Sequence, residues 1–377
     1  MDFIKNLPQV ILSYTDLKII LCLLSALFIA HISIPSIVNI ARKRNLFDEP
    51  KARGAHDVRT PTFGGTAIYG GMLIASMIFM NLSLPQTNFI QYVIAGSLII
   101  FLIGLKDDIL SISPRNKLIG QFFAAGILID MGDVRFTDLH GFLGIHHIGY
   151  ISSAILTLFV IIVIINAFNL IDGVDGLASG VGIVTASTFG GWFYLIGQHQ
   201  LAILAFSLVG GLIGFFYFNV FSKKNKIFMG DTGSLILGYF MSIFTIKFNE
   251  LNVGLDSSYL INAAPAVSIS ILIVPIFDTA RVFLIRILRK KSPFSPDKNH
   301  IHHRLLRLYG DHRRTSFTII IANILFVCIG FSCKDMNISL LILILLTLAS
   351  GLSILPLFII QKREIREKLQ AKENKAA

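Results

Sequence analysis

Residues 150–176 read YISSAILTLFVIIVIINAFNLIDGVDG. The first twenty-two carry no charged side chain. About 20 such residues span the hydrocarbon core of a bilayer as a helix. The apolar run is continuous rather than alternating, so a strand of a transmembrane barrel is excluded. A membrane helix is therefore predicted over 150–171. Directly after it come two carboxylates among glycines, Asp172 and Asp175. A charge at the helix centre costs about 2.5–3.5 kcal/mol on insertion scales, so these groups belong at a membrane edge.

The same alternation governs the rest of the chain. Of its 377 residues, 54% are hydrophobic and only 15% charged, against about 25% charged in a soluble domain; the mean hydropathy is +0.72. Helices are predicted at about 17–41, 66–82, 89–106, 117–131, 150–171, 181–197, 200–221, 233–249, 263–288, 316–333 and 338–361. The expected fold is an all-α, polytopic membrane bundle of about eleven transmembrane helices. Residues 1–361 form one domain and 362–377 a charged cytoplasmic tail. The stretch 132–149, with Gly141, Gly144 and Gly149, reads as a small hairpin or re-entrant piece on the outer side.

Orientation follows from Lys and Arg. One alternate set of gaps, with the tail, holds 26 of the 33 basic residues. By the positive-inside rule that set is cytoplasmic, the N-terminus is outside and the C-terminus inside. The net charge of +11 is thus membrane-flanking charge, and no nucleic-acid partner is expected. Cys22, Cys328 and Cys333 lie in or beside apolar segments without metal-ligand spacing, as packing residues do. Met1 to Asp16 does not read as a cleaved signal peptide.

The chemistry-bearing residues share the cytoplasmic gaps. Asp107-Asp108 end the third helix; adjacent carboxylates raise one pKa, hold a divalent cation, or form a solvated helix-end pair. Lys117 and Gln121 lie one turn apart on the next helix. Asn166 and Asn169 share a helical face above Asp172 and Asp175, which the glycines aim at a common ligand. In Phe228-Met-Gly-Asp231-Thr-Gly-Ser234, Asp231 stands where an N-cap would, and glycines let backbone N–H groups approach phosphate. His300-Ile-His302-His303-Arg304 is too tightly spaced for three histidines on one zinc ion and suits phosphate. Asp278 and Arg281 read first as an intramembrane ion pair. Basic residues and paired glycines from Arg53 through Arg59 to Gly65 suit an anion or a flanking turn.

Together these motifs resemble the polyprenyl-phosphate N-acetylhexosamine-1-phosphate transferase superfamily, of glycosyltransferase family 4 type. The resemblance runs from about Asp48 to about Arg307. It rests on Asp48-Glu-Pro with Arg53, His56, Pro61 and Gly64-Gly65; on Asp107-Asp108 with Lys117 and Gln121; and on Asn169-Leu-Ile-Asp172-Gly-Val-Asp175-Gly-Leu-Ala, Phe228-Met-Gly-Asp231-Thr-Gly-Ser and the histidine loop. His-Ile-His-His-Arg, in place of three histidines and an acid, resembles the bacterial enzymes that put N-acetylglucosamine 1-phosphate on undecaprenyl phosphate.

The resemblance implies an enzyme that takes a sugar 1-phosphate from a UDP-sugar, leaves UMP and starts a surface polymer of O-antigen, common-antigen or teichoic-acid type. It implies Mg2+, with Mn2+ as a substitute, on Asp231 with Asp107 and Asp108, and catalytic roles for Asp107, Asp108 and Lys117. Substrate contacts are implied for Arg59, Asn169, Asp172, Asp175, Asn219, Phe228, His300, His302, His303 and Arg304, with Arg304 facing the sugar. The expected partners are UDP-N-acetylhexosamine, undecaprenyl phosphate, membrane lipid and, as an open option, a second copy of the chain. The expected place is the bacterial inner membrane, active site towards the cytoplasm. Other donors, UDP-MurNAc-pentapeptide or UDP-N-acetylgalactosamine, remain alternatives. An ion-coupled transporter would need internal repeats and midplane charges. A CDP-alcohol phosphatidyltransferase would need Asp-Gly followed by Ala-Arg, which is missing after Asp172.

Overall fold

The computed structural model describes residues 14–47, 60–84, 87–290 and 299–376. Thirteen α-helices lie among them: α1 (Tyr14–Lys43), α2 (Gly64–Phe79), α3 (Ile90–Leu110), α4 (Pro114–Gly126), α5 (Tyr150–Ile171), α6 (Leu177–Leu195), α7 (His199–Val220), α8 (Gly230–Asn252), α9 (Ala264–Ile271), α10 (Ile273–Leu288), α11 (Ile301–Tyr309), α12 (His312–Ser332) and α13 (Ile338–Ala376). A hairpin of β1 (Asp138–Phe142) and β2 (Ile145–His147) stands between α4 and α5.

This is an all-α membrane protein. Among the described residues, five segments are long and apolar enough to cross a bilayer: α1, α5, α7, α12 and the Ile338–Lys362 part of α13. Their outward faces carry large apolar side chains, such as Phe28 on α1, Phe159 on α5, Leu325 on α12 and Phe358 on α13. A continuous apolar surface of that kind suits lipid, not water.

The core is built around α8, which buries eighteen of its twenty-three residues. α2, α3, α5, α6 and α9 pack on it. Small residues let two of these approaches close. A Cβ on Gly238 would stand 2.5 Å from the Ile165 Cα of α5, and one on Gly104 of α3 would stand 2.5 Å from the Thr232 Cα. Neither backbone can retreat without separating the helices.

Local sequence sets the helix ends near the site. Ser113 caps α4 by accepting from the Asn116 N–H, with Pro114 at the first helical position. Asp311 caps α12 by accepting from the Arg313 N–H at 3.1 Å. Gly176, at φ 77°, turns the chain from the Asp172 loop into α6.

Three elements differ from the sequence expectation. The helix predicted over 263–288 is broken at Leu272 into α9 and α10. Pro275 has no N–H for the Ile271 carbonyl four residues back; the Asn323 amide of α12 donates to that carbonyl at 3.0 Å instead. α11 forms in a stretch read as loop. α13 runs on through the residues read as a separate charged tail. The 132–149 stretch is a hairpin, tied to the far end of α8 because Glu250 accepts from the Thr137 N–H and hydroxyl, each at 2.7 Å.

Candidate active site

The ends of α3 and α5, the Asp278–Arg281 stretch of α10 and the starts of α4, α8, α11 and α12 meet at one pole. At the centre, Lys117 of α4 lies 2.7 Å from Asp107 Oδ2 and 3.0 Å from Asp231 Oδ2. Asn169, in the last turn of α5, donates to Asp231 Oδ1 and to Ser234 Oγ. Four elements thus converge on the Asp231 carboxylate.

Asp107 and Asp108 are adjacent but face different neighbours. Asp107 turns to Lys117, and its Oδ1 also accepts from the Ile112 N–H at 2.7 Å, closing the end of α3. Asp108 turns to the start of α8. Its Oδ1 accepts from the Asp231 N–H at 2.7 Å, and its Oδ2 from the Thr232 N–H at 3.0 Å and the Thr232 hydroxyl at 2.5 Å. The sequence reading put Asp231 itself at the N-cap. The cap position is Met229, with no side-chain bond of its own. Asp108 supplies the cap from another helix, which leaves the Asp231 carboxylate to Lys117 and Asn169.

Asp172 follows the last residue of α5 and is half-buried. Its side chain has no hydrogen-bonded or paired cation among the described residues. Burial first, and then the charges of Asp231, Asp108 and Asp175, hold its carboxyl well above the ordinary carboxylate range. A cluster of acids served by one shared lysine fits a divalent cation by the chemistry of its donors.

Asp175 is engaged otherwise. Its Oδ2 lies 2.6 Å from Lys226 Nζ and 3.8 Å from His312 Nδ1, and its carbonyl accepts from the Ser316 hydroxyl at 2.6 Å. Asn219 stitches two loops: its Oδ1 accepts from the Gly176 N–H at 2.6 Å, and its amide donates to the Ile227 carbonyl at 2.9 Å. Phe228 lies 5.8 Å below the Lys226 ammonium, ring centroid to Nζ. Its backbone bonds the start of α2, through the Pro61 carbonyl and the Gly64 N–H.

The histidine loop joins from the side. His302 is 2% exposed. A Cβ on Gly173 would sit 2.8 Å from His302 Nε2, so this imidazole rests on the Asp172 loop, where only a glycine leaves room. Burial, then the neighbouring His303, push the His302 imidazole down to about 3, and it is neutral at pH 7. His300 stacks on His302 with centroids 5.4 Å apart, and His303 tilts against His302 at 4.3 Å. Arg304 is half-buried one residue on.

The structure thus brings together Asp107, Asp108, Lys117, Asn169, Asp172, Asp175, Asn219, Phe228, Asp231, His300, His302, His303 and Arg304 at one pole. Arg59, with Arg53 and His56, lies outside the described residues. Gln121 and Asn166 bond each other at 2.8 Å as a tie between α4 and α5. Residues the sequence reading did not assign to the site are Lys226, Thr232, Ser234 and His312. Lys226 was legible only as flanking positive charge. Thr232 and Ser234 stood inside the quoted Asp231 motif without a role.

The sequence pattern of glycosyl transferase family 4 matches residues 90–249, which contain the Asp107, Asp172 and Asp231 motifs. A probable undecaprenyl-phosphate N-acetylglucosaminyl 1-phosphate transferase of Bacillus subtilis is 32% identical over 88% of this chain and 89% of its own length. A decaprenyl-phosphate N-acetylglucosaminephosphotransferase of Mycolicibacterium smegmatis is 31% identical over 79% of this chain and 80% of its own. An undecaprenyl-phosphate alpha-N-acetylglucosaminyl 1-phosphate transferase of Escherichia coli is 29% identical over 77% of each chain.

Proposed function

The chain belongs to glycosyl transferase family 4, and on that premise we propose that it moves N-acetylglucosamine 1-phosphate from UDP-N-acetylglucosamine to undecaprenyl phosphate. A phosphate oxygen of the lipid attacks the β-phosphorus of the donor. The bond from that phosphorus to the bridging oxygen breaks, and UMP leaves with the electron pair. The observation that carries the reading is Lys117 held between Asp107 and Asp231 at the end of three helices, where two anionic substrates must be brought together. The names of the relatives support the sugar and the lipid class.

The residues divide the work by charge. Lys117 offsets the repulsion between the incoming phosphates, so positioning and electrostatics dominate the barrier. Asp107, against Lys117, is placed to take the proton of the attacking lipid phosphate. Asp108 holds the first turn of α8. Asn169 and Ser234 hold Asp231 in its orientation. The loop of Asp172 and Asp175, Asn219, Phe228 and the histidines form the donor side, with Arg304 towards the sugar.

A Mg2+ ion is part of the proposal. The acid excess around Asp231, Asp107 and Asp172 fits it, and Asp231 and Asp107 would hold it; Asp108 has its oxygens on α8. When bound, it supplies charge neutralisation for the diphosphate and the leaving UMP. We place the enzyme in the bacterial inner membrane with this pole towards the cytoplasm, because in the sequence the site motifs share their alternate gaps with most of the Lys and Arg.

The deciding experiment is transfer of label from UDP-N-acetylglucosamine to undecaprenyl phosphate in detergent, with Mg2+ or EDTA. Mg2+-dependent lipid-linked label with release of UMP supports the reading. Label only from UDP-N-acetylgalactosamine or another donor keeps the chemistry and changes the sugar. No transfer from any UDP-sugar by folded protein removes the proposal and reopens an ion-coupled transporter.

A further inference from the structure

Asp278 lies in α10, outside every motif assigned to the reaction, yet it is the anchor of the histidine loop. Its side chain is 4% exposed and is surrounded by donors. Oδ1 accepts from Arg281 Nη2 at 2.7 Å and from the Ile301 N–H at 3.0 Å. Oδ2 is 2.8 Å from His300 Nδ1. Arg281 Nη2 also donates to the Asn299 carbonyl at 2.6 Å. His300 is the N-cap residue of α11 and makes no side-chain cap bond there; Asp278 caps that helix from α10.

A chain of contact leads from this carboxylate to the reaction centre. Asp278 holds His300 by Nδ1, His300 stacks on His302, and His302 Nε2 lies against Gly173, beside Asp172. We propose that Asp278 is a positioning residue: it fixes the proton of His300 on Nδ1, turns Nε2 away from itself, and holds the His300–His302 stack against the Asp172 loop, where the UDP-sugar is bound. The inference rests on the proposed reaction for its substrate, though not for its geometry. A carboxylate on one ring nitrogen sets both the tautomer and the ring plane of an imidazole.

A metal is the competing use of the same atoms. Ligand atoms of Asp278, His300 and His302 all lie within 4.8 Å of one another. Both Asp278 oxygens already accept hydrogen bonds, and Arg281 places a guanidinium on one of them. A cation would have to displace His300 Nδ1–H and stand beside Arg281. The dyad keeps both Asp278 oxygens bonded without that cost.

The test has two arms. In full-length protein labelled with 15N in the histidine rings, the His300 signals are identified by their loss in His300→Gln. Nδ1 of His300 is expected to bear a proton; a bare Nδ1 overturns the proposal. A stoichiometric transition metal that is lost in His302→Gln also overturns it. Neither result needs an active enzyme, so this arm stands even where transfer fails for every donor.

In the kinetic arm, Asp278→Asn is expected to raise the KM for the UDP-sugar about tenfold, since small misplacements cost about that much or more. The KM for the lipid phosphate stays within about twofold, because the histidine stack contacts the donor side. In a His300→Gln background the same substitution adds little, since the two act as one unit. Equal shifts in both KM values, or full additivity with His300→Gln, would show a merely structural role and overturn the proposal. Where Asp278→Asn does not fold, the ring-nitrogen measurement on the wild-type protein decides alone.

Discussion

Asp108 caps a helix to which it does not belong: its carboxylate accepts the Thr232 N–H at 3.0 Å and the Thr232 hydroxyl at 2.5 Å, at the start of α8. α8 begins with two glycines near Asp231 and has no cap of its own. The first-turn N–H groups of a helix need an acceptor and favour an anion. Taking that acceptor from α3 fixes α8 against the end of α3, one residue from Asp107.

Asp108→Ala should therefore destabilise the protein by about 1–2 kcal/mol, the usual worth of a cap, and should also lower kcat, because Asp231 moves with the first turn. Asp108→Asn keeps an acceptor oxygen and should fall between. Unfolding in detergent and transfer rates on the same samples check this. Unchanged stability in Asp108→Ala would show that the cap contributes nothing.

Lys117→Gln removes the ammonium that lies between Asp107 and Asp231. The expected result is a fall in kcat of about a hundredfold, the scale of one lost electrostatic stabiliser. Lys117→Arg should recover only part, since a planar fork does not replace a point charge between two carboxylates. Steady-state rates at saturating donor and acceptor make the comparison.

Gly104→Ala places a methyl 2.5 Å from the Thr232 Cα and 2.8 Å from its nitrogen. The obstacle is backbone, so α3 and α8 must part. Overpacking of this kind costs about 1–3 kcal/mol, and the Asp108 cap should stretch with it. Loss of both thermal stability and activity is expected, with Gly70→Ala, which meets nothing within 4 Å, as the control.

His302 gives the stability a pH dependence. Its folded value is about 3, below the ordinary histidine value of about 6.5. The unfolded chain thus takes up a proton that the folded chain refuses as pH falls below about 6.5. The contribution is fully present above that pH and is lost towards pH 3, with a slope approaching about 1.4 kcal/mol per pH unit. Unfolding temperatures between pH 7.5 and 5 should drop, and less steeply in His302→Gln. Parallel profiles for the two proteins would contradict the assignment.

Much of the architecture was legible because membrane insertion is a local sum. Some twenty apolar residues in a row decide a span whatever lies elsewhere, and α5 has the limits predicted for it. The break at Leu272 was less legible: Pro275 was visible, but the Asn323 amide that takes over the Ile271 carbonyl lies 52 residues away. α11 was missed because its nine residues carry two arginines and two histidines, a composition that reads as loop.

The amino-acid sequence by itself determined that the Asp107, Asp172 and Asp231 motifs stand at helix ends, since an apolar slab rejects such carboxylates from its middle. Only the tertiary structure decided what each one does. Asp107 and Asp108 are neighbours in sequence, yet successive helical residues point about 100° apart, so one meets Lys117 and the other the start of α8. Asp278 read as a partner for Arg281, and it is that. Its bond to His300, 22 residues on, obeys no helical spacing; it exists because α10 and α11 are brought together in space.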